Sequence, residues 1–327
     1  MLKYGIVFTA ALTFSIVFTF LLAKISLKYK VLKTGDIPLV GGLGIGLAFI
    51  FSLSLGVYTF NLAIAKILAI AGVSLFMLIL GVIDDLKELS VAQKLFAQSF
   101  CAILLILFGV RTEIMYFGFW PNVLITFFWI LGITNAFNLL DIMDGLAAGV
   151  SLIVSSAFLI LGFFNADLNT QVLSLILCAA SAGFLIFNMP PAKVYLGNAG
   201  SHFFGLFVAS LALITHYASI NNVFALLSPM MIVGLPVIDT ILLIIFRIMK
   251  RKPPFSKSRD HIALKIGALG FSPLGTILIM YLLGSLFATC GVILARANNL
   301  LAAVITISVF LFSIGMFLKL VKLEANG

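Results

Sequence analysis

Long apolar runs broken by short polar turns set the pattern of this chain. A run of roughly 17–25 apolar residues is long enough to cross the hydrocarbon core of a bilayer as a helix. Such runs recur at about 4–26, 41–59, 66–83, 92–110, 120–140, 145–164, 170–188, 201–217, 223–248, 273–294 and 300–319. The pattern therefore predicts an all-α, polytopic integral membrane protein with about eleven transmembrane helices, or ten if the 201–217 run is partly re-entrant. The turns between them are too short for a soluble domain, so 1–327 reads as one helical domain with a single long polar loop at 250–272. The first run exceeds the length of a signal-peptide core and is read as a retained helix.

Composition sharpens that picture. The chain is 63% hydrophobic and 9% charged, with a mean hydropathy of +1.26, which places it in the membrane class. The net charge of +9 does not point to nucleic acid, because the basic residues sit at helix ends and in short loops. Sixteen of the twenty Lys and Arg fall on one side of the predicted spans; Lys3, Lys66, Arg111 and Arg296 fall on the other. Cytoplasmic loops carry the positive excess, so the N-terminus is expected outside and the C-terminus inside. Of the eleven acidic residues, only Glu113 and Asp167 fall on the outer side. Acids gathered with most of the cations suit phosphate handling, in which carboxylates hold metal and Lys or Arg hold phosphate oxygens. Cys101, Cys178 and Cys290 lie in apolar runs without metal-ligand spacing and read as inert.

Within this frame, the stretch from Asn135 to Gly145 holds two Asn and two Asp between apolar runs. On a helix, Asn138, Asp141 and Asp144 share one face, and their oxygens suit a hard cation and its phosphates. The plain alternative is a solvated helix end. Asp84 and Asp85 close the third run; adjacent helical residues diverge by about 100°, so the two are expected to do different jobs, or else to be a solvated end with Lys87. Gly41, Gly42, Gly44 and Gly46 permit close helix packing, and no βαβ pattern surrounds them, which excludes a dinucleotide fold. The segment from Gly197 to Ser201 opens the eighth helix, either as an anion site or with Asn198 or Ser201 as a plain N-cap. Asp239 and Arg247 read as an intramembrane ion pair or as catalytic groups. The basic loop around Asp260 and His261 reads as topology or as a clamp for a nucleotide diphosphate. His216 carries no assignable chemistry.

Taken together, Ile37 to Gly42, Asp84-Asp85-Leu-Lys87, Asn135 to Leu146, Val194 to Ser201, Asp260-His261-Ile262 and Gly270 to Ser272 resemble the bacterial polyprenyl-phosphate N-acetylhexosamine-1-phosphate transferases, the MraY/WecA family, in its WecA-like branch. The resemblance covers nearly the whole chain. It implies transfer of a sugar-1-phosphate from a UDP-sugar, with UDP-N-acetylglucosamine the leading candidate, to undecaprenyl phosphate, as the first membrane step of a cell-surface glycan. It implies Mg²⁺, with Mn²⁺ as the alternative, a site facing the cytoplasm at the plasma (inner) membrane, and a homodimer. The expected catalytic residues are Asp84, Asp85, Asp141, Asp144 and His261. The expected metal ligands are Asp85, Asp141 and residue 198. The expected substrate-binding residues are Lys94, Asn135, Asn138, Lys193, Arg259 and Lys265.

Two departures stand out. Asn198 occupies the place of the family's Mg²⁺-binding Asp, and a neutral carbonyl oxygen attracts a hard dication less. The change reads as natural or as introduced, and in either case as weakening. Where family loops carry further histidines, Ala263 and Leu264 follow Ile262, and Lys265 is the candidate replacement charge. Two competing readings remain at this level: a catalytically impaired lipid- or nucleotide-binding relative, and a secondary transporter.

Overall fold

The computed structural model describes residues 1–62, 64–217, 223–251 and 260–325. They form two compact units, Met1–His216 and Tyr217–Gly327. The first holds α1 (Leu2–Tyr29), a hairpin of β1 (Lys33–Thr34) and β2 (Ile37–Pro38), α2 (Gly41–Phe60), α3 (Ile64–Lys87), α4 (Val91–Leu107), α5 (Phe119–Leu140), α6 (Leu146–Phe164), α7 (Leu168–Asn188) and α8 (Gly197–Ile214). The second holds a 3₁₀ turn (Val223–Leu227), α9 (Ser228–Ile232), α10 (Gly234–Met249), α11 (Ile262–Ala268), α12 (Pro273–Leu294) and α13 (Asn299–Ala325).

Among the described residues, nine helices are long and apolar enough to cross a membrane, and a bent pair would make a tenth. The apolar α4, Val91–Leu107, is shorter. The all-α, multi-pass membrane architecture read from the hydrophobic pattern is thus the fold. The break falls elsewhere than expected. The 201–217 run is a continuous helix as far as Ile214, the end of α8, whereas the 223–248 run bends by 76° between Ile232 and Gly234. Gly234 and Pro236 follow directly on that bend, in the first turn of α10; proline has no N–H to give to the preceding turn. The polar 250–272 segment is not all loop, since α11 forms within it; residues 252–259 lie outside the described residues.

The core of the first unit is α8, which packs on α2, α3 and α5. It carries phenylalanines at 203, 204 and 207 that are fully buried, and Phe49 of α2 meets two of them edge-on. The first turn of α8 is pinned by backbone contact. The N–H groups of Gly41 and Gly42 donate to the carbonyls of Tyr195 and Leu196, at 3.0 and 2.9 Å. A Cβ on Gly42 would stand 2.2 Å from the Gly200 nitrogen, so the glycines of α2 serve helix packing. Pro38 accepts from the Tyr195 N–H at 2.8 Å, which ties the hairpin to the same segment.

Candidate active site

The site is built on the N-terminal turn of α8. Leu196, the N-cap residue, gives no side-chain cap, so neither Asn198 nor Ser201 does the capping. The cap comes from another helix. Asp85 on α3 accepts the N–H of Asn198 at 2.8 Å and of Ala199 at 3.1 Å. A carboxylate suits the positive end of a helix dipole and its unpaired N–H groups. Gly197 makes this approach possible: its φ is +77°, and a Cβ there would lie 2.7 Å from Asp85 Oδ2. The anion position predicted at this turn is therefore filled by the protein's own carboxylate.

Asp141 and Asp144 are not on a helix face. Helix α5 ends at Leu140, Asp141 is its C-cap residue, and the chain turns through 141–145 before α6. Asp and Gly favour turns because their side chains or lack of one tolerate the bend, and Gly145 takes a φ of +78°. The face expected for Asn138, Asp141 and Asp144 thus breaks after Asn138. The turn is held from the other side: Gly145 N–H donates to Asn188 Oδ1 at 2.9 Å, Asn188 Nδ2 donates to Val194 O at 2.9 Å, and Ala192 N–H donates to Asp144 Oδ2 at 3.0 Å. Asn188 was passed over in the sequence because it reads as the end of a helix before Pro190.

Asp85, Asp141, Asp144 and Asn198 come together as the polar lining of one cavity of about 410 Å³, with Leu39, Tyr195 and Leu196 among its apolar walls. Burial, and then the charges of Asp85 and Asp144, push the Asp141 carboxyl up to about 7. Three carboxyls share this lining, and a cation would relieve their repulsion. Asn138 stands behind this lining. Its Nδ2 donates to Asn198 Oδ1 at 3.1 Å and to Ser201 Oγ at 3.0 Å.

The neighbouring carboxylate points the other way. Asp84 is 1% exposed; it forms an ion pair with Lys94 of α4 and accepts the Leu89 N–H at 2.7 Å. Neither Asp84 nor Lys94 lines the cavity. One turn on from Lys94, Gln98 exchanges hydrogen bonds with Asn135 at 2.6 and 3.3 Å, so the Asn135 amide is committed to α4. His202 of α8 lies fully buried within reach of the fields of Lys94 and Asp84, and both its ring nitrogens lack a hydrogen-bond partner among the described residues. A histidine in an apolar run gave no signal of this position. Lys193 is exposed.

A family model for glycosyl transferase family 4 matches residues 67–216, which span α3 to the end of α8. The Bacillus subtilis (strain 168) protein named "Probable undecaprenyl-phosphate N-acetylglucosaminyl 1-phosphate transferase" is 30% identical, over 95% of this chain and 90% of its own length. The chain belongs to glycosyl transferase family 4. The undecaprenyl-phosphate alpha-N-acetylglucosaminyl 1-phosphate transferase of Escherichia coli (strain K12) is 27% identical over 93% of this chain and 87% of its own. A phospho-N-acetylmuramoyl-pentapeptide-transferase of Shouchella clausii is 31% identical over 80% and 84%.

In this family 4 chain, the donor set of the cavity fits a hard dication: oxygens only, mostly anionic. Among the described residues, no group of three His, Cys, Asp or Glu forms a ready-made cage. Mg²⁺ usually binds one or two carboxylates and completes its shell with substrate phosphates and water.

The second unit is described by itself. His261 Nδ1 meets Asp239 Oδ2 at 2.7 Å, and Ile262 N–H donates to Asp239 Oδ1 at 2.8 Å. Asp260 pairs with Lys250, and Arg247 lies buried within the field of Asp260. Thus the two oxygens of Asp239 divide between His261, just before α11, and Ile262, its first residue. The Lys265 ammonium sits 3.3 Å from the centroid of the Phe246 ring. Arg259 lies outside the described residues.

Proposed function

We propose that this chain transfers N-acetylglucosamine-1-phosphate from UDP-N-acetylglucosamine to undecaprenyl phosphate at the cytoplasmic face of the plasma membrane, releasing UMP. The observation that carries this reading is the carboxylate-lined cavity at the α8 N-terminus, on a scaffold that belongs to glycosyl transferase family 4. The names of the Bacillus and Escherichia relatives supply the undecaprenyl phosphate and the transferred N-acetylglucosaminyl 1-phosphate; the UDP donor comes from the family resemblance. The positive-inside count supplies the membrane side.

A lipid phosphate monoester has a second pKa of about 6 and is mostly dianionic at pH 7. Its oxygen attacks the sugar-bearing phosphorus; a new P–O bond forms, the diphosphate bridge breaks, and UMP leaves with the bridging oxygen. The nucleophile needs little help from a base. The difficulty is to bring two anions together, and positioning with charge neutralisation carries most of such catalysis. Asp85 and Asp141 would hold Mg²⁺, with the Asn198 carbonyl beside them, and the metal would neutralise phosphate charge. The protein's own part is rigidity. Asp85 is fixed by two N–H donors, Asp144 by Ala192, and the 141–145 turn by Asn188.

A second reading, a binding-competent but slow relative, is favoured by Asn198, whose carbonyl already accepts from Asn138. UMP release from UDP-N-acetylglucosamine, with undecaprenyl phosphate and Mg²⁺, tests both. Turnover supports the transferase. UDP-N-acetylglucosamine binding without turnover supports the slow relative. Neither binding nor turnover, with uptake by proteoliposomes, would overturn both in favour of transport.

A further inference from the structure

At the end of the first unit opposite the cavity, the chain between α4 and α5 forms a second pocket. Lys94, in the first turn of α4, pairs with Asp84, and α5 ends at the Asp141 turn, so the 108–118 connection lies at the far end of both helices. The pocket measures about 240 Å³, with Arg111, Thr112, Glu113, Phe119 and Asn122 among its walls. Drug-sized ligands take clefts of about 300–1,000 Å³, so this one suits a headgroup rather than a nucleotide sugar. Its frame is fixed from α5. Asn122 is buried; its Oδ1 accepts the Ile114 N–H at 2.9 Å, and its Nδ2 lies 3.1 Å from the carbonyls of Ile114, Phe117 and Gly118. Thr112 donates its N–H to Thr126 Oγ1 and its hydroxyl to Asn122 O, both at 2.9 Å. The two residues that flank Thr112 carry opposite charges. The Arg111 guanidinium lies 4.8 Å from the centroid of the Phe119 ring, and its Nε is 3.9 Å from Glu113 Oε1, beyond hydrogen-bond range. A guanidinium that rests on a ring keeps its N–H edges for a bidentate acceptor such as phosphate. Met115, Tyr116 and Trp120 are exposed on the same connection, and Tyr and Trp gather at the headgroup level of a bilayer.

We propose that this pocket binds the headgroup of a zwitterionic phospholipid in the leaflet opposite the cavity, with the phosphodiester on Arg111 and a primary ammonium on Glu113. The charges on the page select that headgroup. One cation and one anion stand two residues apart and match a phosphate and an ammonium joined by a short link. A purely anionic headgroup would satisfy Arg111 but bring like charge to Glu113. A quaternary ammonium has no N–H to give to a carboxylate. An exposed ion pair at 3.9 Å holds itself weakly, so a headgroup that takes both partners gives up little. The frame around Asn122 and Thr112 keeps the connection in place before the lipid arrives, which lowers the ordering cost of binding. The proposal does not depend on the transferase reading, since the pocket lies at the other end of the helices.

The test uses the full-length protein, delipidated in detergent, and native mass spectrometry with phosphatidylethanolamine, phosphatidylglycerol or phosphatidylcholine added at equal concentration. Phosphatidylethanolamine is expected to bind more tightly than either of the others. Arg111→Gln should weaken it about tenfold, the low end of what a hydrogen bond to a charged group is worth. Glu113→Gln should abolish the preference, so that phosphatidylethanolamine and phosphatidylglycerol bind alike. Lys3→Gln, which removes another cation at the same end of the unit, should change nothing. Phosphoethanolamine without acyl chains, at the same concentration, should leave the lipid bound; displacement would make a soluble phosphate the ligand and overturn the lipid reading. Wild-type protein that binds phosphatidylglycerol as tightly as phosphatidylethanolamine overturns the proposal, as does Arg111→Gln that binds like wild type, or Lys3→Gln that loses as much as Arg111→Gln. Arg111→Gln that turns a dimer into a monomer with lipid binding unchanged would assign the pocket to a second copy of this chain instead. Melting temperatures show whether each variant is folded. Should Arg111→Gln fail to fold, Glu113→Gln decides alone: a preference for the ethanolamine headgroup that survives it overturns the proposal.

Discussion

Asp84 and Asp85 are consecutive on α3 yet lie in two unlike regions. Behind α3 is a sealed region, where Asp84 meets Lys94 next to His202. In front is an open cavity, where Asp85 holds the first turn of α8 among Asp141, Asp144 and Asn198. The roughly 100° between neighbouring helical residues is enough to separate them. The sealed acid has a cationic partner in Lys94. The open acid is met by the neutral N–H groups of Asn198 and Ala199.

The largest effect should come from breaking the sealed side. Asp84→Ala strands the Lys94 ammonium, and removing one partner of a buried pair costs about 3–5 kcal/mol. Replacing both, as Asp84→Leu with Lys94→Met, should recover most of that loss, because well-packed apolar residues often match a buried pair. Thermal unfolding in detergent reads both. If the single change costs less than 1 kcal/mol, the pair is not the seal described. On the open side, Asp85→Asn keeps the shape but replaces one acceptor by a donor that faces an N–H. The expected loss is about 1–3 kcal/mol of stability, together with nearly all UMP release. Retained turnover would remove Asp85 from the chemistry.

The helices were legible because bilayer-spanning runs have a length and composition of their own; every predicted run from 4–26 to 300–319 contains a helix. The separation of Asp84 from Asp85 was legible because it follows from helical geometry. Other features were not. The partner of Asp85 is 113 residues away, and His261 meets Asp239 from 22 residues away; such pairings are decided by packing between elements, which periodicity does not carry. Asp141 and Asp144 were placed on a helix because their spacing allows it, but the helix stops at Leu140, where the turn to α6 begins. Element boundaries are the weakest part of pattern reading.

A smaller effect of opposite sign should come from His202. Its buried ring has no hydrogen-bond partner among the described residues, and an unsatisfied polar group costs about 1–3 kcal/mol. His202→Leu should therefore raise stability by about 1 kcal/mol. A loss of that size would show that the ring is satisfied after all and takes part in the Asp84–Lys94 region.

The central claim is that the open cavity is where metal and phosphate meet. The direct measurement is the Mg²⁺ dependence of UMP release, with Asn198 and with Asn198→Asp side by side. An added carboxylate beside Asp85 and Asp141 should lower the Mg²⁺ concentration for half-maximal activity and raise the maximum at least about tenfold, since metal polarisation is worth several kcal/mol. Identical Mg²⁺ curves for the two proteins would contradict the account, because residue 198 would then play no part in holding the metal.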